Sequence, residues 1–405
     1  MAVHAVEVDA DRVPYLTSRL QGFGTTIFAE MSALAASSGA INLGQGFPDT
    51  DGPAEVMEAA IAAIRAGHNQ YPPGIGVPEL REAIADHQRH FYGLAYDADS
   101  EVLVTTGATE AIASALLSLC EVGDEVVMFE PYYDSYAACV ALAGAQRRVV
   151  TLTPPDYRVD PAALEQAVTA KTRLLLLNSP HNPTGKVFSR DELELIASVC
   201  VERDLIAVTD EVYEHLVFEG EHVPLATMPG MRNRTVTISS AGKTFSFTGW
   251  KVGWACAPSD LILAVRTSKQ FLTYVSAAPF QLAIAVGLRL PDVRLTELRD
   301  ELKAKRDMLY QGLAEAGLTA FVPQGTYFVT ADISPLGEDD GMTFCRELPG
   351  RCGVVAVPSV VFYDNVAAGR SLVRFACCKR REVIEEAVTR LKGLNRVPRT
   401  AGHPQ

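Results

Sequence analysis

Short apolar runs of β type alternate with stretches of helical composition through the middle of the chain, and this alternation leaves few folds open. Repeated strand–helix–strand units build a mostly parallel sheet with helices on its faces. Residues 102–106 (Val-Leu-Val-Thr-Thr) read as a strand stopped by Gly107, and the Ala/Leu-rich stretch 108–120 as the helix after it. Residues 125–129 form the next strand, ended by Pro131. Residues 173–177 (Arg-Leu-Leu-Leu-Leu) are nearly all apolar, as expected of a central strand covered on both faces. Ser189, with Glu192 three residues on, is the reciprocal capping pattern of a helix start. Residues 205–209, 236–238 and 251–256 supply three more strands.

Beyond this sheet the pattern changes. Residues 260–290 carry a long helical pattern with a break or kink expected at Pro279, and 295–317 are charged and helical. After Ala320, strand-like runs return at 326–330, 354–357 and 372–376, and a closing helix is expected over 381–391. A chain of 405 residues exceeds one ordinary core. The expected organisation is a large α/β domain over 46–292 and a smaller α+β domain over 293–395. Residues 1–45 form an arm contributing to the smaller domain, and 396–405 a frayed tail.

In open sheets of this kind, ligands bind beyond the carboxyl ends of the strands. Gly107, Asn182, Asp210 and Lys243 all fall at or just after such ends, which points to one shared site. Lys243 lies in the run Ser-Ser-Ala-Gly-Lys-Thr-Phe-Ser-Phe-Thr-Gly-Trp-Lys (239–251), among small residues that leave room beside its amine. A lysine in a tight, partly desolvated loop has its pKa lowered and can attack a carbonyl. Ser240 and Lys251 offer a hydroxyl and a second cation suited to a phosphate. Gly107-Ala108-Thr109 opens a helix, whose backbone N–H groups and dipole favour an anion. Arg374 has apolar flanks in Ser-Leu-Val-Arg-Phe (371–375), and its guanidinium fork fits a carboxylate bidentately.

Three further segments complete the pattern: Glu-Pro-Tyr-Tyr-Asp-Ser-Tyr (130–136), Asn-Ser-Pro-His-Asn-Pro-Thr-Gly (178–185) and Thr-Asp-Glu-Val-Tyr (209–213). With these segments in this order, the chain resembles the fold type I, pyridoxal-phosphate-dependent aminotransferases of class I/II, from Asn42 to Arg374. Within them it resembles the kynurenine/glutamine transaminases, which include cysteine-conjugate β-lyases, and comparably the N-succinyldiaminopimelate aminotransferases. The resemblance implies a seven-stranded sheet in the large domain. It also implies a ping-pong amino transfer from an L-amino acid to a 2-oxo acid through a Lys243 aldimine. Asp210 would pair with the ring nitrogen of pyridoxal 5′-phosphate, and Tyr213 and Asn182 would donate to its phenolic oxygen. Tyr133 would stack on the ring. Gly107, Ala108, Thr109, Ser240 and Lys251 would hold the phosphate. Gly46, Asn182 and Arg374 would meet the substrate α-carboxylate, and Phe28, Thr109, Tyr136 and Tyr71 its side chain. Tyr71 would also reach the phosphate of a second subunit, so a homodimer is implied, with the N-terminal arm contributing to it.

Substrate choice is less determined. Thr109 stands where kynurenine transaminases often carry an aromatic residue, while residues 243–249 follow the wording of that group. Arg19 and Lys269 are the candidate cations for a distal carboxylate. A β-lyase using the same lysine, aspartate and arginine stays open as an alternative. An effector domain of a transcription regulator would need a long N-terminal helix-turn-helix, whereas here the likeness begins near Ile41 after a short acidic arm.

The net charge of −13 argues against nucleic-acid binding, which needs a basic footprint. No apolar stretch reaches the ~20 residues of a membrane helix, and no signal peptide is expected. The eight cysteines lack the spacing of a metal or redox motif, as in a reducing compartment, so the cytoplasm is expected.

Overall fold

The computed structural model describes residues 13–394 apart from Thr25, so the expected tail at 396–405 and residues 1–12 of the arm lie outside the described residues. Helix α1 (Ile27–Ser38) starts at Thr26, whose side chain accepts the Ala29 N–H, and stops at Gly39 with φ 65°. Strand β1 (Ile41–Asn42) and helices α2 (Ala54–Arg65) and α3 (Pro78–Tyr92) follow. The alternating region then runs β2 (Val102–Thr105), α4 (Gly107–Leu119), β3 (Glu125–Glu130), α5 (Asp134–Leu142), β4 (Gln146–Thr151) and α6 (Pro161–Ala167). It continues through β5 (Thr172–Asn178), α7 (Arg190–Glu202), β6 (Ile206–Asp210), β7 (Thr235–Ser240), α8 (Ala241–Thr244) and β8 (Gly253–Cys256). Ser189 and Glu192 form the expected capping box at the start of α7.

These strands make one seven-stranded sheet in the order β2-β8-β7-β6-β5-β3-β4. All neighbours are parallel except those of β8, which runs antiparallel to both β7 and β2. The strand expected over 251–256 therefore starts two residues late, because Lys251 takes a left-handed turn at φ 55° before it. In register, Asn178 at the end of β5 lies beside Asp210 at the end of β6. Those two motif segments thus leave the sheet side by side at its carboxyl edge. Strand β4 was not anticipated from the sequence. It lies at the sheet edge, and its first three residues, Gln146, Arg147 and Arg148, are exposed.

The long helical stretch is two helices, α9 (Ser259–Leu272) and α10 (Ala278–Leu288). Pro279 occupies the first turn of α10, where its missing N–H leaves nothing unpaired, so the break precedes it. Helix α11 (Asp292–Glu315) leads to β9 (Thr319–Ala320), β10 (Phe328–Asp332), α12 (Gly341–Cys352), β11 (Val354–Val355), β12 (Val357–Pro358), α13 (Val366–Gly369), β13 (Leu372–Ala376) and α14 (Arg381–Leu391). Four of the strands form an antiparallel sheet in the order β12-β13-β10-β9, while β11 pairs with β1 in parallel.

One hydrophobic cluster joins Ile27, Met31 and Ala35 of α1 to residues of α11–α14, while three others cover the faces of the large sheet. Val212, Tyr213 and Leu216, in the turn after β6, belong to the first cluster although β6 belongs to the large sheet. That turn is thus clamped between two packed bodies. At ~25 cal/mol per Å² of apolar area removed from water, such burial is what holds it still.

Candidate active site

Every residue expected to touch cofactor or substrate, except Tyr71 and the candidate distal cations Arg19 and Lys269, lines one cavity of about 330 Å³ at the carboxyl edge of the parallel strands. Lys243 stands in the single turn α8, directly after β7, instead of in the tight loop expected from its small neighbours. Burial pulls its pKa down, Lys251 and Arg374 add to the effect, and Cys378 and Asp210 oppose it. Its Nζ lies 5.9 Å from the centre of the Tyr327 ring.

Asp210 is 5 % exposed and has no cation within ion-pair reach among the described residues. Its Oδ2 accepts from the Tyr136 hydroxyl at 2.6 Å and its Oδ1 from the Val212 N–H at 3.3 Å. Burial raises its pKa, and these two bonds and Lys243 hold it back. Tyr136, expected to meet the substrate side chain, thus has its hydroxyl committed to Asp210, although its ring still lines the cavity. Asn178 organises the neighbouring segment. Its Nδ2 donates to the carbonyls of Pro180 and Asp210, and its Oδ1 accepts the Asn182 N–H at 2.7 Å.

The Oδ1 of Asn182 accepts from Arg374, so its amide NH₂ is the group left to face the cavity. Tyr213 is buried edge-on against Tyr327, with ring centres 5.3 Å apart, and burial pushes its pKa far up, keeping it a hydroxyl donor. Tyr133 stands at the N-cap position of α5, without a side-chain cap bond, and lines the cavity beside Tyr136.

A phosphate-sized cradle lies at the start of α4. Gly107 has φ 74°, and a side chain there would come within 3.2 Å of Lys251 Nζ. At Gly253, a Cβ would sit 2.6 Å from the Gly107 carbonyl carbon and 2.8 Å from the Ala108 nitrogen. Strand β8 therefore needs glycine for α4 to begin where it does. Ser240 ends β7 without using its hydroxyl as a helix cap. The α4 amides, this hydroxyl and the Lys251 ammonium converge on the cavity.

Arg374 in β13 is 1 % exposed. It donates to Asn182 Oδ1 at 3.0 Å and to the Gly44 carbonyl at 2.9 Å, while its Nε has no partner among the described residues. Phe328, Phe28 and Phe362 surround the guanidinium at 4.1, 5.1 and 5.1 Å. Desolvation lowers its pKa to about 10, so it stays charged at neutral pH. Among the described residues no carboxylate pairs with it. A buried, unpaired cation is costly, and an anionic ligand would complete it. Gly46 lines the same end, its carbonyl accepting from the Tyr327 hydroxyl at 2.6 Å, and a Cβ there would come within 2.6 Å of the Phe328 ring. Thr109 lines the cavity as well.

Tyr71 lies elsewhere. It is 80 % exposed, packs edge-on against Tyr274 and does not line the cavity of its own chain. Lys269, considered as a reader of a distal carboxylate, is buried and donates to the Tyr274 carbonyl at 2.8 Å. That engagement removes it from the list. Tyr327, Phe328 and Phe362 went unrecognised in the sequence, where 326–330 reads only as a strand.

Pyridoxal phosphate fits these groups. The cavity offers a reactive amine, a buried carboxylate without a cation, hydroxyl and amide donors, and an anion cradle closed by glycines. The comparisons agree with this geometry. Residues 38–391 match the family described as aminotransferase class I and II. The probable N-succinyldiaminopimelate aminotransferase of Mycobacterium tuberculosis is 52 % identical over 394 residues, covering 95 % of this chain and 99 % of that one. The methionine aminotransferase of Escherichia coli is 40 % identical over 378 residues, covering 93 % and 98 %. The solved structure of the M. tuberculosis N-succinyldiaminopimelate aminotransferase superposes with a TM-score of 0.92, at 53 % identity, over 94 % of this chain and all of that one. The chain therefore belongs to the class I and II aminotransferases and is a pyridoxal-phosphate-dependent enzyme of that family.

Proposed function

We propose that this aminotransferase exchanges the amino group of N-succinyl-LL-diaminopimelate with 2-oxoglutarate, working in the cytoplasm as a homodimer. The observation that carries the substrate is the 52 % identity to the M. tuberculosis protein over nearly the whole of both chains, against 40 % for the methionine aminotransferase. Two features of the chain support it. The position of Thr109 is small, which leaves room for a long donor. Arg19, in the exposed turn Ser18–Leu20 packed on α5, does not line the cavity but carries no ion pair among the described residues, and is the cation proposed to meet a distal succinyl carboxylate. The homodimer rests on Tyr71 and on the apolar exposure beside it, with Phe271 at 82 % and Tyr274 at 53 %.

The residues then divide the work. When bound, the cofactor withdraws electrons from the substrate Cα. Lys243 would be the amine that holds the cofactor between turnovers. With the cofactor bound, its Nζ would take the proton from the substrate Cα and give it back on the cofactor side, a role suited to an amine whose pKa burial has lowered. Asp210 would pair with the cofactor's ring nitrogen and keep it protonated, and the Tyr136 hydroxyl favours the carboxylate form of Asp210. Tyr213 and Asn182 donate to the phenolic oxygen. The α4 amides, Ser240 and Lys251 hold the phosphate. Arg374, Asn182 and Gly46 would hold the substrate α-carboxylate and so fix how its Cα–H bond is presented. Tyr133 and the aromatic walls exclude water.

The experiment is a donor panel on the purified enzyme with 2-oxoglutarate as acceptor. N-succinyl-LL-diaminopimelate should give a kcat/KM at least tenfold above methionine, kynurenine and glutamine. Arg19→Ala should erode that advantage and leave methionine unaffected. Preference for methionine or kynurenine would overturn the substrate assignment. Release of pyruvate from a cysteine conjugate without any 2-oxo acid would favour the β-lyase reading.

A further inference from the structure

The turn that presents Asp210 and Tyr213 to the cavity also carries two buried carboxylates that do not line it, Glu211 and Glu214. All four of their oxygens are engaged. Glu211 accepts from Thr209 Oγ1 and faces His222 Nε2, each at 2.7 Å. Glu214 accepts from Tyr92 OH of α3 at 2.8 Å and, through its other oxygen, from Ser239 Oγ of β7. His87 and His215 lie close by, with their Nε2 atoms 2.7 Å apart.

The ligand atoms of His87, Glu214 and His215 come within 4.8 Å of one another, which raises a metal site. The distances decide against it. Two nitrogens on one tetrahedral zinc, each at ~2.0–2.1 Å, stand roughly 3.3 Å apart. A separation of 2.7 Å is a hydrogen bond between rings. Desolvation lowers both histidines to about 4, so at neutral pH one uncharged ring donates to the other. Both oxygens of Glu214 are already taken by hydroxyl donors.

We infer that Glu214 is a positioning residue for Tyr213. It follows Tyr213 directly, and its partner Ser239 directly precedes Ser240 and the turn bearing Lys243. The carboxylate thus ties the segment holding the Tyr213 hydroxyl to the strand whose end holds the Lys243 amine. The Glu211 N–H, donating to the Ile238 carbonyl at 2.8 Å, closes the same seam through the backbone. Tyr92 adds a third anchor, from α3. A glutamine there keeps one acceptor oxygen for two hydroxyl donors, Tyr92 and Ser239, so one of them loses its acceptor and the turn is freed to shift relative to β7. The inference rests on the role proposed above for Tyr213 as donor to the cofactor's phenolic oxygen.

The test uses the full-length holoenzyme and follows the pH midpoint of its visible absorption, together with kcat, KM and Tm. Tyr213→Phe, Glu214→Gln, Ser239→Ala and Tyr92→Phe are compared. A donor to the phenolic oxygen favours its deprotonated state, so Tyr213→Phe should raise the midpoint. Glu214→Gln should raise it in the same direction by less, lower kcat roughly ten- to a hundredfold as expected for a small misplacement, and leave KM within about twofold. Ser239→Ala and Tyr92→Phe should each reproduce part of the effect, and they decide the matter if Glu214→Gln does not fold. If Tyr213→Phe moves the midpoint while the three others change only Tm, Glu214 is structural and the inference fails alone. If Tyr213→Phe leaves the midpoint in place, the role of Tyr213 fails and the inference with it.

Discussion

Tyr136→Phe isolates one bond. The substitution keeps the ring, which packs edge-on to Tyr133 at 5.7 Å, and deletes only the hydroxyl that donates to Asp210 Oδ2 at 2.6 Å. Both partners are buried, at 3 % and 5 % exposure, so water does not replace the lost donor. A hydrogen bond to a charged group contributes about 1.5–3 kcal/mol. At 1.36 kcal/mol per factor of ten, that is roughly a ten- to over a hundredfold loss in kcat. The pH dependence follows from the same bond. Burial raises the pKa of Asp210 and the Tyr136 hydroxyl lowers it, so the variant carboxyl takes up a proton at higher pH. Only the carboxylate can pair with the protonated ring nitrogen. The loss should therefore be largest at acid pH and shrink as pH rises, with the acid limb of the kcat profile displaced upward and the basic limb unmoved. The assay is kcat at saturating donor across pH, with KM followed alongside. A profile parallel to wild type, or a change confined to KM, would refute the reasoning.

Two further outcomes follow from the geometry. Arg374→Lys keeps the charge but loses the fork that reaches Asn182 and Gly44, so kcat/KM should fall by a similar factor of about ten to a hundred for every donor; a loss limited to dicarboxylic donors would place Arg374 at the side chain instead. Gly253→Ala drives a Cβ to 2.6 Å from the Gly107 carbonyl carbon, so the phosphate cradle must shift and cofactor affinity, read by titrating the apoenzyme, should weaken more than tenfold; unchanged affinity would show that the cradle tolerates it.

Much of this was legible in the sequence because the fold places chemistry where strands stop. Gly107, Asn182, Asp210 and Lys243 could be put in one site from the apolar runs preceding them, and the cavity contains all four. What local patterning could not convey was pairing. The antiparallel direction of β8, the two-residue ladder between β1 and β11, and the second cluster that receives Val212 and Tyr213 join residues far apart in the chain. Edge strand β4 carries too many polar residues to stand out as a strand. The bonds of Tyr136 and Glu214 escaped notice for a related reason. A tyrosine or glutamate next to a motif has the same appearance whether its polar end meets substrate, solvent or another side chain. Pro279 showed where a helix begins, since proline at a first turn and proline at a kink have the same sequence appearance.

The central assignment is that Lys243, and no other lysine, carries the cofactor. Lys251 lies at the same cavity and makes the alternative concrete. Borohydride reduction of the holoenzyme, followed by proteolysis and mass spectrometry, fixes the cofactor to whichever amine holds it. We predict the pyridoxyl mass on the peptide containing Lys243, at one per chain, and its disappearance in Lys243→Ala, which should still bind the cofactor through the phosphate cradle. The label on Lys251, or on any lysine outside the cavity, would contradict the account.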